Sequence, residues 1–218
     1  MRIPLVRGTS AEHIDLMPSK IVGIGLNYRA HAAEMGKGLP EEPLVFLKPP
    51  SSMIPGGEPI ERPGGYERVD YEGELGVVIG QRARRVPRER ALDVVLGLTI
   101  CNDVSVRDLQ RKDVQYTRAK GFDTFCPIGP RIVAGLDPSR LAIQTRLNGV
   151  IRQDSSTADL IFDVPSLIAF VSTHMTLEPG DVISTGTPSG VGNLTPGDVV
   201  AIEIEGIGVL ENRVIARP

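Results

Sequence analysis

Glu72 and Glu74 stand two residues apart in Val69-Asp70-Tyr71-Glu72-Gly73-Glu74-Leu75-Gly76-Val77-Val78-Ile79-Gly80. In an extended strand the side chains at i and i+2 point to one face, so the two carboxylates aim together while the apolar run behind them is buried. Two like charges that close call for a counter-charge. A hard divalent cation such as Mg²⁺ meets it, because it takes carboxylate oxygens and keeps waters that a substrate can displace. Asp103, at the end of the second apolar run Leu98-Thr99-Ile100-Cys101-Asn102-Asp103, is the candidate third ligand. The ordinary alternative is a solvated strand face with Asp103 as a strand-end turn residue, and Glu-x-Glu by itself fits that alternative.

Other residues could act with this group. His31 and Glu34 lie three apart on a short helical stretch, which puts them on one face. A carboxylate beside an imidazole fixes its tautomer and raises its basicity, making His31 a candidate general base toward water; a surface His–Glu pair is the plain alternative. Lys120 enters the apolar run Gly121-Phe122-Asp123-Thr124-Phe125-Cys126-Pro127 and there needs an anionic partner, unless it snorkels to the surface. Arg107 and Gln110 follow Asp103 by four and seven residues, and an arginine is suited to bidentate capture of a carboxylate, although Arg107 with Asp108 also reads as a solvated ion pair. Gly186-Thr187-Pro188-Ser189-Gly190-Val191-Gly192 offers N–H groups and a hydroxyl to an anion. No lysine follows its glycines, so it is not a P-loop, and it holds no Gly-x-Ser-x-Gly. His13 and His174 have no comparable partner and are assigned to structure.

The elements that must position these residues are mostly strands. Ile21–Gly25 and Leu44–Leu47 read as short buried strands, and Asn27 to Gly36 as a helix with Asn27 a candidate N-cap and Gly36 its stop. Tyr28 breaks any dinucleotide fingerprint begun by Gly23-x-Gly25. Residues 1–20 form a weakly patterned leader with an edge strand. Ser51 to Tyr66, rich in Gly and Pro, reads as a long loop of the kind that forms lids or binding loops. Ala91 to Val95 is helix-like, Leu96 to Asn102 is a strand, and Val104 to Tyr116 is a short helix or excursion. Further strands are expected at 127–134, 142–147, 150–154, 181–184 and 198–216, with Asn148-Gly149 a hairpin turn and Val164 to Thr176 an amphipathic helix led by Pro165. Strands joined mainly by turns point to a mixed α/β, mainly β, largely antiparallel fold with peripheral helices.

Composition narrows the classes. The 218 residues suffice for a full core without disulfide staples, and nothing divides the chain, so one domain over 1–218 is expected. A net charge of −3 gives no reason to invoke nucleic acid or an anionic membrane. The basic run at Arg82, Arg84, Arg85, Arg88 and Arg90 is interrupted by Pro87 and Glu89 and reads as a solvated connection. Cys101 and Cys126, each within an apolar segment, read as buried thiols in a reducing compartment. No signal peptide or membrane span is evident, which makes cytoplasm the expected location. Five lysines against nineteen arginines hint at a GC-rich or heat-adapted source.

Taken in order, Gly25-Leu26-Asn27-Tyr28-x-x-His31-x-x-Glu34, Phe46-Leu47-Lys48-Pro49, Asp70-Tyr71-Glu72-Gly73-Glu74-Leu75, Asn102 to Gln110, Lys120 to Pro127 and Gly186 to Val191 resemble the fumarylacetoacetate hydrolase family, from about Ile21 to the chain's end. The resemblance implies a β-roll with peripheral helices, usually a homodimer, a Mg²⁺ or Mn²⁺ site, and chemistry on 2-oxo acids and 1,3-dicarbonyls through an enolate held at the metal. It implies Glu72, Glu74 and Asp103 as metal ligands and His31 with Glu34 as a water-activating dyad. Lys120 would stabilise the enolate, and Arg107, Gln110 and Thr187 would hold the substrate's carboxylate and oxygens. Longer animal members look to carry a fourth carboxylate seven residues before the histidine, where this chain has Ile24, and a large N-terminal domain that it lacks. Both departures resemble the small bacterial and mitochondrial members. Acylpyruvate-type C–C hydrolysis or oxaloacetate decarboxylation is the first expectation, because the His31, Glu34 and Lys120 set is complete. The alternative is isomerisation or decarboxylation of a 2-hydroxyhepta-2,4-diene-1,7-dioate type of diacid in aromatic catabolism. A third reading is a non-catalytic β-module that binds Ca²⁺ structurally.

Overall fold

The apolar runs of the sequence fall into one large mixed sheet in the computed structural model, which describes residues 1–34, 36 and 38–217. Its strands run in the order Ser10–Asp15 (β2), Arg2–Arg7 (β1), Cys126–Ala134 (β11), Val95–Asn102 (β9), Gly73–Ile79 (β8), Val182–Ser184 (β14), Ile21–Gly25 (β3) and Leu44–Lys48 (β4), with Met53–Pro55 (β5) beside β11. Pairing is parallel for β1–β11, β14–β3 and β11–β5 and antiparallel elsewhere. A second sheet orders Val150–Ser156 (β13), Ala142–Leu147 (β12), Val199–Ile204 (β16), Gly208–Ala216 (β17) and Ile60–Arg62 (β6). A third, small one joins Ser105–Val106 (β10), Val69–Tyr71 (β7) and Gly192–Asn193 (β15). The expected mixed α/β, mainly β architecture is what the chain adopts.

The two-residue period of β8 explains its unbroken apolar sequence. Leu75, Val77 and Ile79 pack into a core shared with Ile143, Ile202 and Ile204 of the second sheet. Val78 turns the other way, onto a smaller cluster with Ile3, Leu5, Cys101 and Cys126. A strand covered on both faces has no polar side to show. Where β8 begins, the two sheets come so close that a Cβ on Gly73 would lie 2.3 Å from Thr145 Oγ1, so only glycine fits between the two glutamates. The expected hairpin turn is present, with Asn148 and Gly149 both in the left-handed region at φ 53° and 78°.

Helices lie at the periphery: Arg29–Glu34 (α1), Arg107–Lys112 (α2), Thr117–Lys120 (α3) and Val164–His174 (α4). Asp163 caps α4 by accepting from the Ser166 N–H at 2.9 Å, and Leu167, Ile168 and Val171 are buried as their spacing predicts. Arg88, Arg90 and Arg82 pair with Asp163, Asp93 and Glu178, as a solvated connection should.

Several local expectations are corrected. Asn27 does not cap α1: its amide is buried and bridges Thr185 and Phe162, donating to both carbonyls and accepting from the Phe162 N–H. Gly36 does adopt a left-handed turn after α1, at φ 64°, whereas Met35, inside the predicted helix, lies outside the described residues. Ser51 to Tyr66 is not an open loop, because β5 and β6 pair it to β11 and β17 and none of it lines the main cavity. Ala91 to Val95 is taken by a 3-10 helix, Arg88–Val94. The leader is a hairpin of two strands, β1 and β2, rather than one edge strand.

Residues following that hairpin are fastened by Asp181, which is fully buried just before β14. Its Oδ1 accepts from the Ser19 N–H and hydroxyl and from the Lys20 N–H, and its Oδ2 accepts from Lys20 Nζ at 2.5 Å and the Glu178 N–H at 2.8 Å. Burial alone would raise this carboxyl; the donors from Glu178, Lys20 and Ser19 outweigh it and hold it below the ordinary carboxylate range. A carboxyl depressed in the folded state contributes stability above its unfolded pKa and loses it as pH falls through the folded value. Asp181→Asn, which sets an NH₂ against donors, is therefore expected to cost about 2 kcal/mol at neutral pH. Urea unfolding at several pH values should show that deficit shrinking below about pH 4.

Candidate active site

Three carboxylates meet where the small sheet hands over to the large one. Glu72 sits at the break between β7 and β8, Glu74 two residues into β8's course, and Asp103 just past β9. Two hydrogen bonds lock the first and last together: the Asp103 N–H donates to the Glu72 carbonyl at 2.9 Å, and the Asn102 side-chain Oδ1 accepts from the Glu72 N–H at 3.0 Å. One carboxylate oxygen from each of the three lies within 4.8 Å of the others, and all three side chains are buried.

Their electrostatics are uneven. Burial would raise Glu72, but Arg107 and Lys120 outweigh it and hold it far below the usual range. No cation bonds Glu74: burial, then Asp103 and Glu72, push its carboxyl up to about 8, although Ser184 Oγ at 2.6 Å and the Gly186 N–H at 2.9 Å donate to its Oε2 and Lys120 acts on it from farther off. A buried set of three hard oxygen donors, one of them starved of positive charge, fits a Mg²⁺- or Mn²⁺-sized cation.

His31 is buried on α1 and opens into the same cavity of about 300 Å³ as the carboxylates. Its Nδ1 lies 3.1 Å from Glu34 Oε2. Glu34 is itself fixed from outside the helix by the Gly190 N–H, which reaches Oε1 at 3.1 Å and Oε2 at 3.3 Å. Gly190 is held at φ 97°, and a Cβ there would fall 1.9 Å from the Arg152 carbonyl oxygen, so the loop requires glycine at this point. Ile24, at the position where the resemblance implies a missing fourth carboxylate, supplies apolar wall.

Arg107, Gln110, Lys120 and Thr187 also line the cavity, and most of their polar atoms are already engaged. Arg107 donates through Nε to Asp70 at 2.8 Å, through Nη2 to Glu72 at 2.5 Å and through Nη1 to Gln110 Oε1 at 2.7 Å. That last bond turns the Gln110 NH₂ into the free end of the amide. Lys120 spends all three N–H bonds, on Glu72 at 2.8 Å, on Asp103 and on Ser105 Oγ at 2.7 Å, and lies 4.7 Å over the Phe46 ring. The Thr187 hydroxyl donates to the Gly73 carbonyl and accepts from Gln153 Nε2. Every sequence-predicted site residue is thus brought to one place, with Glu34 just behind the wall.

Two members escaped sequence reading. Lys48 is fully buried at the end of β4 and donates to Asp103 Oδ1 at 2.5 Å, so Asp103 is gripped by a lysine on each oxygen. Asp70 receives Arg107 and Arg68 on its two oxygens. A lysine ending an apolar strand was a signal for the first; for the second the only local sign was Arg68 two residues before it. His13 is on β2 and His174 Nδ1 faces the Phe170 carbonyl, both away from the cavity.

Comparison with known proteins agrees with this arrangement. Residues 20–215 match the model of the fumarylacetoacetate (FAA) hydrolase C-terminal. The oxaloacetate tautomerase YisK of Bacillus subtilis is 46% identical over 90% of this chain and 70% of its own. The crystal structure of a 5-carboxymethyl-2-hydroxymuconate delta-isomerase from Mycobacterium smegmatis is similar at a TM-score of 0.88 with 51% identity, covering 93% of this chain and 81% of that one. Fumarylpyruvate hydrolase from Pseudomonas aeruginosa, solved with Mn²⁺ and pyruvate, gives a TM-score of 0.88 at 31% identity, covering 99% and 97%. The chain belongs to the fumarylacetoacetate hydrolase family.

Proposed function

We propose that this chain is a divalent-metal-dependent enzyme that moves a proton at the carbon beside the keto group of a short 2-oxo acid, interconverting its enol and keto forms. The observation that carries the reading is the convergence of the Glu34-held His31 and the Glu72, Glu74 and Asp103 carboxylates on one cavity. The ion at those three residues, Mg²⁺ or Mn²⁺, supplies Lewis-acid polarisation of a keto oxygen when bound.

The chain's own residues supply the rest. Glu34 accepts from Nδ1–H of His31 and so leaves Nε2 as the ring nitrogen that takes the proton from, or returns it to, the substrate carbon. Gln110, oriented through its Oε1 by Arg107, offers its NH₂ to a substrate oxygen. With their donors spent on Glu72 and Asp103, Lys120 and Lys48 fix the ligand carboxylates and set their charge. Leu44, Phe46 and Tyr116 give the cavity a partly apolar wall that limits water around the reacting carbon.

This order differs from the sequence expectation, which put hydrolysis and decarboxylation first. Relatives at 51% and 46% identity carry the names of an isomerase, a tautomerase and a bifunctional isomerase/decarboxylase, and those named as hydrolases stand at 42% and 31%. Acylpyruvate hydrolysis is the second reading. It is favoured by the same Glu34–His31 pair, which is built to take a proton from water as readily as from carbon.

Two measurements test the assignment. Oxaloacetate followed in D₂O by NMR, with enol absorbance in parallel, is expected to show Mg²⁺- or Mn²⁺-dependent exchange at the carbon beside the keto group, abolished by chelation. His31→Gln should lower that rate by about 10²–10⁴-fold while still binding the ion. Release of a free carboxylic acid from acetylpyruvate, without enol–keto turnover, would move hydrolysis to first place. Calorimetric titration with Mn²⁺ forms the second test: Glu74→Ala should weaken binding by about a hundredfold or more, as loss of one ligand of three implies. Normal ion binding with no turnover of any 2-oxo acid would support the structural β-module instead.

A further inference from the structure

Behind the site stands a buried tyrosine that lines no part of the cavity. Tyr71 ends β7, immediately before Glu72. Its pairing partner in the small sheet is Gly192 of β15, and its ring lies across that glycine: a Cβ on Gly192 would come within 2.9 Å of the Tyr71 hydroxyl oxygen and 3.2 Å of Cε1. A residue with any side chain would displace the ring. Seated there, the hydroxyl reaches two residues back along the loop and donates to the Gly190 carbonyl at 2.9 Å.

Gly190 thus has both main-chain polar groups engaged, its carbonyl by Tyr71 and its N–H by the two Glu34 oxygens at 3.1 and 3.3 Å. A glycine at φ 97° carries no side chain to hold that conformation and can rotate away from it at little steric cost. Freed of the tyrosine, its N–H can swing off Glu34. From Glu34 the chain of contacts runs on to His31 Nδ1 at 3.1 Å. The helix that carries this pair has only six residues, too few to be stable by itself, so the place of His31 depends on ties from elsewhere. We propose that Tyr71 is a positioning residue for His31: acting through Gly190 and Glu34, its hydroxyl sets the orientation of the imidazole and which ring nitrogen carries the proton. Because Tyr71 adjoins Glu72, the base is registered against the carboxylates through the small sheet. The proposal rests on the reading of His31 as the proton-transfer base and adds the group that keeps its partner in place.

Tyr71→Phe keeps the ring on Gly192 and deletes only the hydroxyl. In the oxaloacetate exchange assay it is expected to lower kcat about tenfold, the scale of one hydrogen bond, with KM and Mn²⁺ affinity within about twofold of the wild type. Added to Glu34→Gln it should cost nothing more, because two residues that act along one path are not additive. A second readout needs no turnover. In the ¹⁵N-labelled, Mg²⁺-loaded protein, with the His31 signals identified by their loss in His31→Gln, the ring nitrogens should report one tautomer, Nδ1–H, in the wild type and a mixture in Tyr71→Phe. Asp181→Asn, which is destabilised away from the loop, is the comparator and should move neither kcat nor these signals. Wild-type nitrogen signals in Tyr71→Phe, or a further tenfold loss on top of Glu34→Gln, would overturn the proposal, as would Mn²⁺ binding that weakens in step with kcat. If the wild-type protein turns over no 2-oxo acid, the proposed function fails, and the nitrogen signals alone still decide whether Tyr71 positions His31.

Discussion

The site is arranged around the mutual repulsion of Glu72, Glu74 and Asp103, all three buried. Three carboxylates brought within 4.8 Å at that burial would drive one another out or take up protons if left to themselves. The fold answers in two ways. It removes freedom by tying Glu72 and Asp103 together through the main chain and by wedging Gly73 against Thr145. It also sets Lys48, Arg107 and Lys120 around Glu72 and Asp103, and leaves Glu74 with only a hydroxyl and an N–H. The asymmetry leaves Glu74 as the one carboxyl of the three with no cation in hydrogen-bond contact.

The cations are in turn constrained by what they hold. Removing one partner of a buried charge pair strands the other, so each of Lys48, Lys120 and Arg107 is as necessary to the core as an apolar side chain of its size. This is why side chains that resemble substrate-binding groups in sequence are engaged in structure. Arg107 contributes to the pocket chiefly through what it does to Glu72 and Gln110.

How much of this the sequence displayed depended on the range over which each signal acts. The two-residue period placed Glu72 and Glu74 side by side, and the length of the second apolar run put Asp103 at its end; both are local and both are where expected. His31 and Glu34 were legible through helical spacing alone. Asn27 was misread as a cap because capping and long-range bridging use the same side chain, and only the distant Phe162 and Thr185 decide between them. Ser51 to Tyr66 looked structureless because β5 and β6 are three residues each and owe their existence to partners more than seventy positions away. Lys48 and Asp70 were legible only in part: the end of an apolar strand marks the first and Arg68 pairs locally with the second, but their buried partners, Asp103 and Arg107, arrive from distant parts of the chain.

The bond from the Gly190 main chain to Glu34 has a further consequence. The proposed base and the carboxylates proposed to hold the ion belong to different parts of the chain, with His31 and Glu34 on a six-residue helix and the carboxylates at the ends of sheet strands. The glycine-rich loop from Gly186 to Gly192 is the seam between them, since one end donates to Glu74 and the other to Glu34. A movement that opened only the Gly190 end would release the histidine's partner and leave the ligand side closed. Under the proposed function, proton transfer and ion retention would thereby be separable: such a catalyst could be idled without being emptied.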